Sequence, residues 1–318
     1  MEKYVVSARK YRPTKFQNVV GQDHVTTTLQ NAVKNNKVAQ SLLFCGPRGV
    51  GKTTCARILA NEINNFDFTN PLESSNNFNI YELDAASNNS VDDIRNLIEQ
   101  VRYPPQSGKF KVYIIDEVHM LSNAAFNAFL KTLEEPPSYA IFILATTEKN
   151  KVIPTILSRC QIYDFNRIEI PDIKNKLSEI LESEKISFED EALHLIARKA
   201  DGALRDALST LDLIKTFIKE PIIKLEDVTN NLNILDSDYL FKISSYINVG
   251  DVTKSIMLHN EIVRNGFESI NLLSGLTNHF KNLLYAKNEG LVDLMDVSES
   301  EKSKSVSYTH LRAHETSI

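Results

Sequence analysis

The sequence predicts an α/β fold: a parallel sheet with helices packed on it, followed by a stretch that is helical almost throughout. Three observations carry this expectation. From residue 40 to 165 short apolar runs alternate with helix-like stretches, the pattern of parallel strands joined by helical crossovers. A glycine-rich run, Gly46 to Thr53, follows the first apolar run directly. After about Ile170 the strand signal fades and a helical apolar period takes over.

In chain order, the expected strands are Ser41–Cys45, Ile80–Asp84, Lys111–Ile115 and Ala140–Ala145, rich in Ile, Phe, Leu, Tyr and Val, with an extended Gln161–Phe165 closing the unit. Thr54 to Glu62 reads as the helix behind the glycine run, and Asn64–Asn79, full of Asn, Ser and Phe, as an irregular surface insertion. Asn88-Asn89-Ser90 precedes a helix over Val91–Arg102. Ser122 can cap a helix whose apolar face runs through Ala125, Phe126, Phe129, Leu130 and Leu133, and Pro136-Pro137 stops it. A small helical unit follows, carried by Ile173, Leu177, Ile180 and Leu181, then Ala192 to Ala200, then Leu204 to Ile218. Asp236-Ser237-Asp238 offers a fresh cap, and Gly250 and Gly266 fall where helix ends are expected, so residues 237–290 open a third unit. The final run, VSYTHLRAHET from Val306 to Thr316, looks like a translated sequencing-library adapter and is expected to be disordered.

Composition bounds the function. A chain of 318 residues with 42% apolar and 24% charged residues exceeds one small module and can build ordinary cores. Its 36 Lys and Arg against 41 Asp and Glu leave a net charge of −5, so no whole-molecule positive field draws it to nucleic acid or anionic lipid. Any DNA contact must be local or made by an assembly. Cys45, Cys55 and Cys160 form no CxxC pair, which argues against a disulfide framework and a zinc module and for a reducing, cytoplasmic compartment. Apolar runs such as Tyr139 to Ala145 fall far short of a membrane helix.

The chemistry concentrates in two places. Gly46-Pro47-Arg48-Gly49-Val50-Gly51-Lys52-Thr53 has the spacing of a phosphate cradle between a strand and a helix. Its glycines let successive N–H groups turn toward phosphate oxygens, Lys52 supplies a point charge, and Thr53 offers a hydroxyl to Mg²⁺. The second place is the end of Lys111–Ile115, where Asp116-Glu117 stand at the edge at which such sheets present side chains. Asp116 would hold Mg²⁺ and Glu117 would take the proton from, or orient, an attacking water. The plainer reading keeps both acids as a solvated turn or helix cap. For His119, hydrogen bonding to backbone near the strand is the expected role.

The runs Ala8-Arg9-Lys10-Tyr11-Arg12-Pro13 and Val19-Val20-Gly21-Gln22-Asp23-His24, with GPRGVGKTT, ELDAASNNSVDDIR, YIIDEVHML, FLKTLEEPP, LATTE and ILSRC, resemble the gamma/tau family of bacterial DNA polymerase III subunits, the ATP-driven motors of sliding-clamp loaders. The resemblance covers about residues 5–290. It implies an AAA+ P-loop NTPase sheet with helices on both faces over 1–167, a helical lid over 168–236, and the start of a helical, oligomer-forming collar over 237–305. ATP and Mg²⁺ are the implied cofactors. The implied partners are other loader subunits and copies of this chain in a ring, the sliding clamp, and primer–template DNA.

Residue by residue, the resemblance places Ala8, Tyr11, Arg12, Pro13, Val19, Val20 and Gly21 around the adenine, and the run from Gly46 through Pro47, Arg48, Gly49, Val50, Gly51, Lys52 and Thr53 to Thr54 around the phosphates. An N-terminal arm packed on the sheet accounts for the first set equally simply. Thr147 matches a sensor of the attacking water or γ-phosphate, with Thr146 its confusable neighbour. Arg205 matches a second sensor acting in cis, and Arg159 an arginine finger acting on a neighbouring subunit; a surface salt bridge is the plainer role for each. The Val91–Arg102 helix is the best candidate for DNA contact through Arg95, which could instead pair with Glu99. Where the family often carries a four-cysteine zinc module, Asn64–Asn79 has no cysteine, so no zinc is expected. The family's holoenzyme bears the class label of a DNA-directed DNA polymerase, a nucleotidyltransferase, but the chain shows no nucleotidyl-transfer site, and polymerisation by this polypeptide alone is not expected. Rival readings are a non-hydrolysing structural subunit and a related helicase motor.

Overall fold

The computed structural model describes residues 5–65, 79–105, 108–218, 221–231, 237–295, 297 and 299–315. The chain enters with α1 (Ser7–Lys10) and α2 (Asp23–Lys34) before β1 (Ser41–Cys45). Then α3 (Lys52–Ile63) leads to β2 (Ile80–Asp84), α4 (Val91–Val101) to β3 (Lys111–Asp116), α5 (Asn123–Glu134) to β4 (Ala140–Thr146), and α6 (Pro154–Leu157) to β5 (Gln161–Asp164). After these come α7 (Ile170–Glu184), β6 (Ser187–Phe188), α8 (Asp190–Lys199), α9 (Leu204–Phe217), β7 (Ile222–Ile223), α10 (Leu225–Asn231), α11 (Ser237–Val249), α12 (Val252–Arg264), α13 (Ser269–Ala286) and α14 (Glu299–Glu315).

The five long strands pair in parallel in the order β2-β3-β4-β1-β5. β1 and β4 are buried at every residue and β3 at all but its last, as central parallel strands covered on both faces must be. Alternate residues serve the two faces. Leu42, Phe44, Val112, Ile114, Ile141 and Ile143 join Val25, Leu29, Ile58 and Leu59 of α2 and α3. Leu43, Tyr113, Ile115, Phe142 and Leu144 join Ile94, Leu97, Phe126 and Phe129 of α4 and α5. The helices start where the sequence signals them: Ser90 forms a reciprocal capping box with Asp93, and Ser122 Oγ accepts the Ala125 N–H at 3.2 Å.

Contacts gather the chain into two compact units, Met1–Glu184 with Lys199–Leu213, and Lys185–Arg198 with Ile214–Ile318. Residues 168–236, read from the sequence as one helical unit, are shared between them. In the second unit β6 and β7 pair in parallel, a contact that two-residue strands are too short to announce by periodicity. There α11, α12 and α13 share a small core of Ile243, Leu258, Ile262 and Leu272. Of the run Val306–Thr316, for which disorder was expected, residue 316 lies outside the described residues and the rest forms the end of α14. It is helical to Glu315, contains no Gly or Pro, and sets the Tyr308 ring at a tilt against Phe241 with centroids 5.3 Å apart. Of the insertion at Asn64–Asn79, residues 66–78 lie outside the described residues, and with them the question of zinc.

Phe142 is fully buried, 5.4 Å from the Tyr113 ring and 5.2 Å from the Phe129 ring. Phe142→Ala is expected to lower unfolding stability by about 3–5 kcal/mol, read as an earlier urea midpoint. A loss under about 1 kcal/mol would contradict this packing.

Candidate active site

The strand order sets the site. β1 lies between β4 and β5 with β3 one strand beyond β4, all parallel, so the loop leaving β1 emerges at the same sheet edge as the C-terminal ends of β4 and β3, where ligands of an open parallel sheet usually bind. The loop then turns on glycine. Gly46 has φ +148° and passes so close to Phe165 that an added Cβ would stand 2.4 Å from the Phe165 carbonyl oxygen; its N–H donates to Thr146 O at 3.2 Å. Gly49, at φ +76°, brings the loop against the start of α9, with an added Cβ 3.0 Å from Ala203 Cβ. The Arg205 N–H donates to Gly49 O at 3.4 Å.

Lys52 opens α3 and is only 6% exposed. Its Nζ donates to Gly46 O and Pro47 O, both at 2.7 Å. Burial pulls its pKa below the ordinary lysine value, against the opposing pull of Glu117 and Asp116. Thr53 Oγ1 donates to Asp116 Oδ2 at 2.6 Å, joining the loop helix to the end of β3. Glu117 follows at φ +48°, a left-handed conformation that is unfavourable for a side chain with a Cβ. Its N–H donates to Asp116 Oδ1 at 3.0 Å, and its Oε2 accepts from Thr147 N at 3.2 Å and Thr147 Oγ1 at 2.9 Å. A hydroxyl beside a carboxylate at a glycine loop is a donor set that fits a hard divalent cation such as Mg²⁺, which keeps most of its shell for water and phosphate.

A cavity of about 420 Å³ opens here. It is lined by Ala8, Tyr11, Arg12, Pro13, Val19, Val20, the run Arg48 to Thr54, Asp116, Glu117 and Arg205, so most of the residues singled out in the sequence converge. Gly46, Pro47 and Thr147 are not among the lining residues. Gly21 is not either; it packs on Ile168, whose Cγ2 would be 2.9 Å from an added Cβ. The sequence reading missed Glu82, Asp84, Ile168, Leu204 and Leu208, which also line the cavity. Glu82 and Asp84 alternate along β2, whose last residue pairs with Asp116, and Leu204 and Leu208 are one helical turn apart beside Arg205. Period counting on those short stretches was the available signal. Glu82 is held by Arg57 through two bonds of 2.9 and 2.8 Å. Burial, then Arg57, lowers the pKa of Arg12.

Other residues stand apart. Arg159 lies away from this cavity, donating through Nε to Glu134 at 2.9 Å and through Nη1 to Thr155 O at 2.7 Å. Arg95 pairs with Asp92 at 3.1 Å rather than with Glu99, because three residues back on a helix is as near as four forward. His119 contacts side chains, not backbone: Nδ1 is 3.0 Å from Thr146 Oγ1. Among the described residues no group of three or more His, Cys, Asp or Glu could hold a metal ion, and no helix is long and apolar enough to cross a membrane.

A glycine loop between strand and helix, a carboxylate pair at the end of the third strand and a helix N-terminus closing the cavity define an AAA+ module. The fold agrees with the Thermotoga maritima RuvB Holliday junction branch migration motor, at a TM-score of 0.56 and 21% identity over 76% of this chain and 80% of that one. A family model described as DNA polymerase III, delta subunit, matches residues 21–169, and one described as DNA polymerase III clamp loader subunit, ATPase lid domain, matches 172–213. DNA polymerase III subunit tau of Bacillus subtilis is 39% identical over 93% of this chain and 55% of its own length. DNA polymerase III subunit gamma of Buchnera aphidicola subsp. Schizaphis graminum is 37% identical over 85% of this chain and 77% of its own. The chain belongs to the gamma/tau family of DNA polymerase III subunits. It spans about half the length of several of these relatives, such as the Bacillus subtilis and Escherichia coli tau subunits.

Cys45 and Cys55 flank the loop, and burial pushes their thiols up to about 11 and about 12, as it does Cys160 to about 12. At pH 8 the native thiolate fraction is therefore about 10⁻³ or less. Disulfide-exchange reagents should label the folded chain slowly and all three cysteines quickly in urea. Because the folded pKa values are raised, the contribution to stability is full below about pH 8.5 and is lost as pH climbs toward 11–12. Fast labelling of the native chain at pH 8 would contradict this burial.

Proposed function

We propose that the chain is the ATP-hydrolysing motor subunit of a DNA polymerase III clamp loader, loading the sliding clamp onto primed DNA. The observation that carries the reading is the convergence of Lys52, Thr53, Asp116 and Glu117 on one cavity in a chain of this family. Loop N–H groups and the start of α3 would cradle the phosphates, and Lys52 would exchange its two carbonyl partners for phosphate oxygens. Tyr11, Pro13, Val19 and Val20, with Ile168, Leu204 and Leu208, supply an apolar wall for the adenine. Thr53 and Asp116 would hold Mg²⁺, which when bound draws charge from the phosphates. Glu117 would take the proton of the attacking water, with Thr147 holding its carboxylate.

Arg205, on the first turn of α9, would touch the γ-phosphate in cis, so that the lid over residues 168–236 reports the nucleotide state. Arg159 would complete the site of a neighbouring subunit, in a ring assembled through the collar that starts at 237. Its pairing with Glu134 is exposed, and exposed pairs contribute only about 0–1 kcal/mol, so exchanging Glu134 for a triphosphate costs little. DNA contact falls to the α4 region. Affinity for clamp and DNA is what switches, and nucleotidyl transfer is no part of this subunit's work.

The test is ATP turnover by the full-length chain reconstituted with loader partners, clamp and primed DNA. Strong stimulation by the additions is expected, with Lys52→Ala losing about 10²-fold or more. Arg159→Ala should lose about 10³-fold of the stimulated rate while the subunit still binds ATP. Unchanged turnover in the Lys52 variant would move the reading to a non-hydrolysing structural subunit.

A further inference from the structure

The mechanism above leaves His119 unused, yet this side chain sits at the centre of the polar cluster behind Glu117. It lies on the short turn Val118–Met120 and is only 6% exposed. Nδ1 faces Thr146 Oγ1 at 3.0 Å and Glu117 Oε2 at 3.4 Å, and Nε2 faces Glu148 Oε1 at 3.4 Å. Thr146 is itself anchored twice. Its carbonyl accepts the Gly46 N–H at 3.2 Å, and its hydroxyl oxygen accepts the Glu148 N–H at 3.1 Å. The imidazole is thus clamped between a fully buried threonine at the end of β4 and a half-exposed glutamate that also pairs with Lys151 at 2.8 Å.

The cluster acts on one atom. Thr147 donates twice to Glu117 Oε2, and His119 Nδ1, hydrogen-bonded to Thr146 Oγ1, stands 3.4 Å from the same oxygen. Among the described residues no hydrogen bond reaches Glu117 Oε1. A carboxylate gripped through one oxygen keeps the other for a reacting proton, and the left-handed backbone at Glu117 is one that a residue with a Cβ keeps only where its surroundings hold it.

We propose that His119 is a positioning residue for the hydrolysis: with Thr147 it holds Glu117 by Oε2, leaves Oε1 to the attacking water, and ties that orientation to Glu148 at the surface. The inference rests on the function proposed above. A simple space-filling role for the ring would depend on its volume alone, whereas positioning depends on where its nitrogens stand. Asparagine can reproduce Nδ1, glutamine can reproduce Nε2, and leucine fills the space with neither.

The experiment compares His119→Asn, His119→Gln and His119→Leu in the full-length chain reconstituted with its loader partners. His119→Leu should lower kcat about tenfold with KM for ATP within about twofold, and His119→Asn should recover most of the loss while His119→Gln does not. A second readout needs no turnover. In the chain labelled with ¹⁵N at its imidazoles, the His119 resonances, assigned by their loss in His119→Asn, should move in Glu117→Gln. A leucine variant at wild-type kcat, an asparagine variant no better than leucine, or imidazole resonances indifferent to Glu117→Gln would each overturn the proposal. Absence of ATP turnover in the wild-type assembly would instead remove the proposed function and leave the spectroscopic result standing on its own.

Discussion

The hydrogen bond from Thr53 to Asp116 joins residues 63 positions apart, and the site is arranged around it. It closes only because β1 and β3 run parallel with β4 between them and α3 crosses back over that face. A hydrogen bond to a charged group contributes about 1.5–3 kcal/mol, far less than the burial that holds the sheet. Its importance is geometric. Thr53 is chained to Lys52 and Asp116 to Glu117, so aligning one pair fixes the other, and the glycine loop is held to the strand ends that face it.

The central strands were legible because a parallel strand covered on both faces must be apolar at every position, and Ser41–Cys45 and Ala140–Thr146 nearly are. The glycine loop was legible because its spacing encodes backbone turns that only glycine makes cheaply, as at Gly46. Tertiary placements were not. Arg57 meets Glu82 across 25 residues, a pairing no local rule predicts. The short strands β6 and β7 lack the length for a period. The left-handed Glu117 follows a strand without any glycine or asparagine to announce it, and its side chain is tied to Thr147, a partner 30 residues away in sequence.

The arginines show what a sequence can and cannot say about charge. Arg205 and Arg12 both reach the cavity, Arg205 because its backbone is pinned to Gly49, Arg12 because the N-terminal arm is tied down on both sides. Ser7 N donates to Asp212 Oδ2 at 2.6 Å and Tyr11 Oη to Glu184 Oε1 at 2.6 Å. Those two acids belong to the helices around the site and not to the arm itself, so the arm's course depends on packing that short motifs do not encode. Arg159 and Arg95, by contrast, find partners within one turn or on an adjacent helix, as exposed cations generally do.

Four cations, Arg12, Arg48, Lys52 and Arg205, share the cavity lining with four carboxylates, Glu82, Asp84, Asp116 and Glu117, but the buried cations do not have carboxylates at their tips. Lys52 is buried with carbonyls rather than carboxylates at its tip, and Arg12 is depressed by burial and by a neighbouring guanidinium while the nearby carboxylate, Glu82, is bound to Arg57. Desolvated cations without full counter-charge weigh against the folded state. A polyanion seated on the loop would relieve that penalty in the folded chain alone, so binding and stability are linked. The same loop accepts the Arg205 N–H through Gly49 O, so the helix that carries Arg205 starts against the loop on which a polyanion would sit.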